Sequence, residues 1–199
     1  GHKAKSAHDM GREYRILNQL NAGFPYCPKA YVHCTDESVI GSEFYVMERV
    51  NGIILRADLP AELNFSQAQT TQLCKSFIDK LVELHNVDYQ ACGLGDLGKP
   101  EGYVARQISG WSDRYEKALT PDAPLWTEVK AWLNDKMPAD HPKSAIVHND
   151  YRFDNVILDP NDPQRIIGVL DWELTTLGDP LMDLGNTLAY WIEAGDPAP

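Results

Sequence analysis

The stretch VHNDYRFDNVILD, Val147 to Asp159, decides how the chain is read. It lodges Asp150, Asp154 and Asn155 between SAI and VIL, apolar runs that both read as strands. Aspartate and asparagine are common turn residues because their side chains satisfy nearby backbone groups, so any one of them alone would be structural. The spacing says more. His148, Asp150 and Asn155 spell H-x-D-x-x-x-x-N, and a further apolar run, RIIGVLDW, then delivers Asp171. With the turn-forming PNDPQ between them, NVILD and RIIGVLDW pair as a hairpin, which brings Asn155 and Asp171 toward one end of a ribbon. Two oxygen ligands could meet one hard cation there. Magnesium suits so sparse a set, because it takes few protein oxygens and completes its shell with water and substrate phosphates. Asp150 lies just before the ribbon and could face the same space without ligating.

Outward from this stretch, the rest of the chain supplies a scaffold. From Ser6, SAHDMGREYRILNQLNAG places Met10, Tyr14, Leu17 and Leu20 on one helical face, with Glu13 beside it and Gly23 as a stop. KAYVHCT and SEFYVMERV read as an antiparallel pair with the second strand buried, followed by a turn at Asn51-Gly52. Ser66 is the N-cap of a helix carrying Leu73, Phe77, Leu81 and Leu84 inward. CGLGDLGKP follows no strand and does not fit G-x-G-x-x-G, so it is a connector rather than a phosphate cradle. EGYVARQISGWSDRYEKAL and LWTEVKAWLNDKM are two amphipathic helices. GDPLMDLGNTLAYWIEAG closes the chain as a helix, with Asp179 near its start and Leu181, Leu184, Leu188 and Trp191 inward. This order predicts an α+β protein with a small sheet-bearing lobe and a larger helical lobe.

Composition narrows the function classes. The 199 residues carry a net charge of −11, from 18 basic and 29 acidic side chains, which argues against a nucleic-acid partner, since that needs a basic face to displace phosphate counterions. Cys27, Cys34, Cys74 and Cys92 form no C-x-x-C pair and read as free thiols. No apolar run approaches a membrane span, and GHKAKSAHDM lacks the apolar core of a signal peptide, so no membrane partner and a cytoplasmic location are expected.

HNDYRFDN followed by VLDWE resembles the catalytic and metal-binding segments of the aminoglycoside phosphotransferase and choline kinase branch of the protein-kinase-like superfamily. DWE stands where protein kinases have D-F-G, which favours the small-molecule branch. REYRIL resembles the αC helix, FYVMERVNG the strand and hinge, and LVELHNVD the central helix of the helical lobe. The nearest likeness is to the subgroup found beside, or fused to, acyl-CoA dehydrogenases.

The resemblance implies a bilobal fold, with residues 1–50 the remainder of an N-terminal lobe up to the hinge and 51–199 a C-terminal catalytic lobe with β-hairpins. It implies an ATP- and magnesium-dependent phosphotransferase acting on a hydroxyl of a small molecule, either aminoglycoside-like or a hydroxy acid or hydroxyacyl thioester. Asp150 would then accept or orient the substrate hydroxyl proton, while Asn155 and Asp171 hold magnesium. Arg152 would stand near the γ-phosphate, and His148 would pack and hydrogen-bond the loop that aims Asp150. Backbone groups of Glu48, Arg49 and Val50 would meet adenine over a floor of Ile157 and Leu170. Glu13 takes the αC glutamate position. Glu173 is open between the metal's outer shell and a surface salt bridge, and Asp179 and Asp183 cap the last helix and anchor the loop.

Two departures qualify this pattern. No glycine-rich strand-turn-strand and no basic strand precede GHKAKSAHDMGREY, so Glu13 lacks its usual basic partner, and the text stops at GDPAP. The expectation is a fragment that binds nucleotide weakly and turns over little by itself. The same gap suits an alternative, a nucleotide-binding pseudokinase or interaction module. A magnesium-dependent phosphatase with Asp150 as nucleophile would want a D-x-D pair that the loop lacks.

Overall fold

The computed structural model describes residues 9–56, 59–191 and 195–196. Helix α1, Met10–Leu20, begins at Asp9, whose carboxylate accepts from the Arg12 amide at 2.9 Å, and it buries Ile16, Leu17 and Leu20. The expected start at Ser6 lies outside the described residues. Strands β1, Ala30–Cys34, and β2, Phe44–Met47, pair antiparallel as the sequence suggested. The expected burial of β2 is corrected: Val46 and Met47 are 42% and 41% exposed. Among the described residues these two strands form a two-stranded ribbon backed by α1, so part of it faces water.

Helix α2, Gln67–His85, is the one the sequence announced most clearly. Ser66 and Gln69 form a reciprocal capping box, and Leu73, Phe77, Leu81 and Leu84 are all buried. Helices α3, Tyr103–Ala118, and α4, Thr127–Asp135, pack on each other and bury little else. Trp111, Trp126 and Trp132 stay more than half exposed, the first two along an open groove between the helices.

Three of the remaining strands were expected: β3, Ala145–Val147; β4, Val156–Leu158; and β5, Ile166–Val169. β4 and β5 form the anticipated hairpin, with Val156 opposite Val169. The unexpected one is β6, Thr176–Gly178, which pairs antiparallel with β3. Helix α5, Pro180–Leu188, follows directly, with the Asp179 carboxylate accepting from the Leu181 amide at 2.8 Å. Its inward face differs from the expected one. Leu181, Leu188 and Trp191 are 63%, 45% and 36% exposed; Leu184 packs on the core, and the buried residues of the helix are Asp183 and Thr187. The reason is polar: Asp183 is drawn inward to serve backbone amides of the loop described below.

One apolar core joins α1, α2 and the two hairpins. Trp172 sits at its centre, 1% exposed, with its indole N–H donated to the Val169 carbonyl at 2.9 Å and Phe24 edge-on at 5.9 Å. Tyr151 is fully buried against Phe77, rings 4.4 Å apart, and its hydroxyl donates to the Phe77 carbonyl at 2.9 Å. Each such ring contributes about 1.5–3 kcal/mol of burial free energy. Gly52 is required where it stands, because a Cβ there would lie 2.4 Å from both the Ile157 side chain and the Leu158 carbonyl. That close approach lets Ile53 pair with Leu158 in both directions, at 2.9 and 2.8 Å, so the stretch after β2 is fastened to the strand that follows Asn155.

Candidate active site

Residues 148–155 run from the end of β3 to the start of β4, and each turn of the path is held by a named group. Asn149 adopts φ 64°, a left-handed conformation that asparagine tolerates better than most residues. Its side chain bridges two elements, accepting from the Tyr103 hydroxyl at 3.0 Å and donating to the Leu174 carbonyl at 3.0 Å. The buried Asp183 carboxylate receives the amides of His148 and Asn149, both at 2.8 Å, and His85 Nε2 approaches it at 2.9 Å. Asp183 thus anchors the loop, as the sequence suggested.

His148 is fully buried with both ring nitrogens engaged. Nε2 lies 2.9 Å from the Leu170 carbonyl and must donate to it, which leaves Nδ1 to accept the Asp150 amide at 3.3 Å. Burial pushes its pKa down, against the pull of Asp183, so the neutral ring is the stable form. His148 therefore ties the backbone of Asp150 to the segment that carries Asp171.

Asp150 is half-buried, and each carboxylate oxygen has a partner. Asn155 Nδ2 donates to Oδ2 at 2.9 Å, and also to the Asp150 carbonyl at 2.9 Å, while the Tyr190 hydroxyl donates to Oδ1 at 3.1 Å. Because Nδ2 is committed to Asp150, the other side-chain atom of the amide, Asn155 Oδ1, points the other way. Arg152 Nε lies 3.5 Å from Asp150 Oδ2, and Nη1 lies 3.6 Å from Asp154 Oδ2. That Nε is buried without a hydrogen-bond partner among the described residues. The Leu170 amide donates to the Asn155 carbonyl at 2.8 Å, which sets Asn155 and Asp171 at the same end of the β4–β5 ribbon.

Asp171 has φ 68° and stands open to solvent on one side. Its pKa is raised, first by the part of the carboxyl that is buried, then by the negative charges of Glu173 and Asp150. Glu13 is raised too, first by burial and then by Asp171 and Glu173, although bonds to the Tyr45 hydroxyl and the Trp172 amide oppose the shift. The Tyr45 phenol and the Trp172 backbone N–H are thus the groups that favour the ionised form of Glu13. Arg12, one residue earlier, donates Nη1 to the Glu173 carbonyl at 3.1 Å and Nη2 to that of Thr175. α1 therefore grips the chain on the far side of Asp171.

Glu13, His148, Asp150, Arg152, Asn155 and Asp171 are accordingly brought together. Glu48, Arg49 and Val50 lie in irregular backbone after β2, with Glu48 and Arg49 exposed. The Glu48 amide is already bonded to the Lys29 carbonyl at 2.8 Å, so that N–H is occupied. Ile157 is 2% exposed against Gly52 and Gly168, and Leu170 is half-buried. Sequence reasoning missed Tyr190, Tyr45, Arg12 and Asn149. None belongs to the motif, and each acts through a contact with a residue distant in sequence or through backbone groups.

Asn155 Oδ1 and the Asp171 carboxylate, whose pKa is raised first by burial and then by neighbouring carboxylates, are oxygens that could take a divalent cation. Among the described residues no group of three or more His, Cys, Asp and Glu side chains is placed to hold a metal ion. Beside the loop, a cleft of about 320 Å³ is lined by Tyr103, Gln107, Trp111, Arg114, Asn149 and Asn186 among others. Among the described residues no helix is long and apolar enough to cross a membrane, and the four cysteines are free thiols.

Known proteins share this arrangement. Acyl-CoA dehydrogenase family member 11 of Gallus gallus is 40% identical over 189 residues, covering 94% of this chain and 24% of its own length. The chain thus spans about a quarter of that curated relative. A Ralstonia eutropha structure, provisionally named an aminoglycoside phosphotransferase, superposes with a TM-score of 0.81 at 40% identity, over 94% of this chain and 56% of its own. The Streptomyces rimosus aminoglycoside phosphotransferase APH(3'')-Id, solved with ADP and streptomycin, shares the fold at a TM-score of 0.63 and 18% identity, over 94% of this chain and 68% of its own. The sequence matches the phosphotransferase enzyme family along residues 1–199, and the chain belongs to that family.

Proposed function

We propose that this site transfers the γ-phosphoryl group of ATP to a hydroxyl of a small molecule. The observation that carries the reading is the convergence of Asp150, Asn155 and Asp171, with Asn155 Nδ2 fixing one oxygen of Asp150 at 2.9 Å. Asp150 orients the acceptor hydroxyl and takes its proton as the new O–P bond forms and ADP leaves. Asn155 Oδ1 and the Asp171 carboxylate would hold magnesium, which would neutralise charge on the phosphate oxygens. Arg152, a little over one third exposed beside Asp150, offers a fixed charge to the transferred phosphate. Adenine would lie along Glu48, Arg49 and Val50, meeting the Glu48 carbonyl rather than its occupied amide, over Ile157 and Leu170. The ADP complex of the Streptomyces rimosus neighbour supports the nucleotide.

For the acceptor, the cleft beside Asn149 is informative. Among its lining residues Arg114 is the charged one, stacked 4.7 Å from the Trp111 ring, and no carboxylate lines it. That lining favours a hydroxy acid or hydroxyacyl thioester over a polycationic aminoglycoside, despite the acidic chain as a whole. The acyl-CoA dehydrogenase names of the relatives agree with it. The test is a screen of hydroxy acids, their thioesters and aminoglycosides with Mg-ATP and the full-length protein, read by mass. Addition of one phosphate to a hydroxy acid or thioester supports the reading, and aminoglycoside phosphorylation alone would reverse the acceptor assignment.

A further inference from the structure

Tyr190 stands outside every motif, on the turn after α5, with its amide donated to the Thr187 carbonyl at 3.3 Å. Its phenol donates to Asp150 Oδ1 at 3.1 Å, while the Arg152 guanidinium lies over its ring at 5.3 Å. Since Asn155 already engages Oδ2, Oδ1 is the oxygen left for an incoming hydroxyl. A side-chain hydroxyl with the donor chemistry of the acceptor thus occupies the acceptor's place.

We propose that Tyr190 is a placeholder for the acceptor: it holds Asp150 Oδ1 until substrate displaces it, and so denies that oxygen to water. The inference rests on Asp150 being the proton acceptor of the proposed reaction. Water can donate to the same oxygen, and a base open to it would hydrolyse ATP without an acceptor. A phenol fixed by the fold closes that route, yet it is joined by one hydrogen bond and about half exposed, so a bound acceptor can replace it.

The test needs no acceptor. ADP release from Mg-ATP is measured with the full-length protein as wild type, Tyr190→Phe, Asp150→Asn and the double variant. Phenylalanine keeps the ring and removes the hydroxyl. The expected result is a rise in hydrolysis of roughly three- to tenfold in Tyr190→Phe, the scale of freeing one ordinary, half-exposed hydrogen bond, and no rise in the double variant. Unchanged or lower hydrolysis in Tyr190→Phe, with Asp150→Asn still suppressing turnover, would overturn the placeholder alone. A rise that survives Asp150→Asn contradicts the role of Asp150 and the inference with it. Phosphate found on Tyr190 itself would also overturn it, by making the phenol an acceptor.

Discussion

Asp171 shows how one residue can cost stability in order to serve a site. Its left-handed backbone turns the carboxylate toward Asp150 and Glu173, whose charges, after burial, raise its pKa above the ordinary value. A carboxyl raised in the native state binds more protons there than in the unfolded chain, so stability falls as pH climbs from about 4 through the raised value. Asp171→Asn removes that contribution. Thermal melts of metal-free protein at a series of pH values should show a shallower decline for the variant, with Glu13 still contributing in the same direction. Parallel curves for the two proteins would show that the crowding of charge is not felt. The H-x-D-x-x-x-x-N spacing made Asp150 and Asn155 legible, because that chemistry is local in sequence. Tyr190 was not legible, since its partner lies 40 positions away and a lone tyrosine after a helix carries no pattern.

At the scale of elements, α2 and α5 make opposite lessons. α2 could be read because Leu73, Phe77, Leu81 and Leu84 repeat at helical spacing behind a serine cap. The inward face of α5 could not, because what it buries is Asp183, whose partners are the amides of residues 148 and 149. Hydrophobic periodicity is blind to a carboxylate paired with backbone. β6 escaped for a different reason: Thr176–Gly178 holds no run of β-branched or aromatic residues and becomes a strand through its pairing with β3. The two helices also predict different variants. Asp183→Ala strands buried amides and should cost about 3–5 kcal/mol while lowering turnover, because the loop loses its anchor. Ser66→Ala removes a cap and should cost about 1 kcal/mol with turnover intact. Denaturant unfolding paired with activity assays separates the two, and a Ser66→Ala protein as impaired in turnover as Asp183→Ala would contradict the assignment of the anchor.

On the scale of the whole molecule, α1, α2 and the two hairpins share one core, and the acidic site lies where α1 meets the hairpin ends. The α+β class followed from the order of patterned segments, and the TM-score of 0.81 to the Ralstonia eutropha protein agrees with it. What the order of segments did not convey is how α1 reaches the site, through Arg12 on the Glu173 and Thr175 carbonyls. Backbone carbonyls have no sequence signature, so this grip becomes visible only in three dimensions. The proposed function rests on one claim, that Asp150 is the proton acceptor of a phosphoryl transfer. Its most direct test compares transfer of labelled γ-phosphate to the acceptor found by screening, using wild-type full-length protein and Asp150→Asn. A fall of about 10²–10⁴-fold in kcat with the melting temperature retained is the predicted result, and full transfer by Asp150→Asn would contradict it.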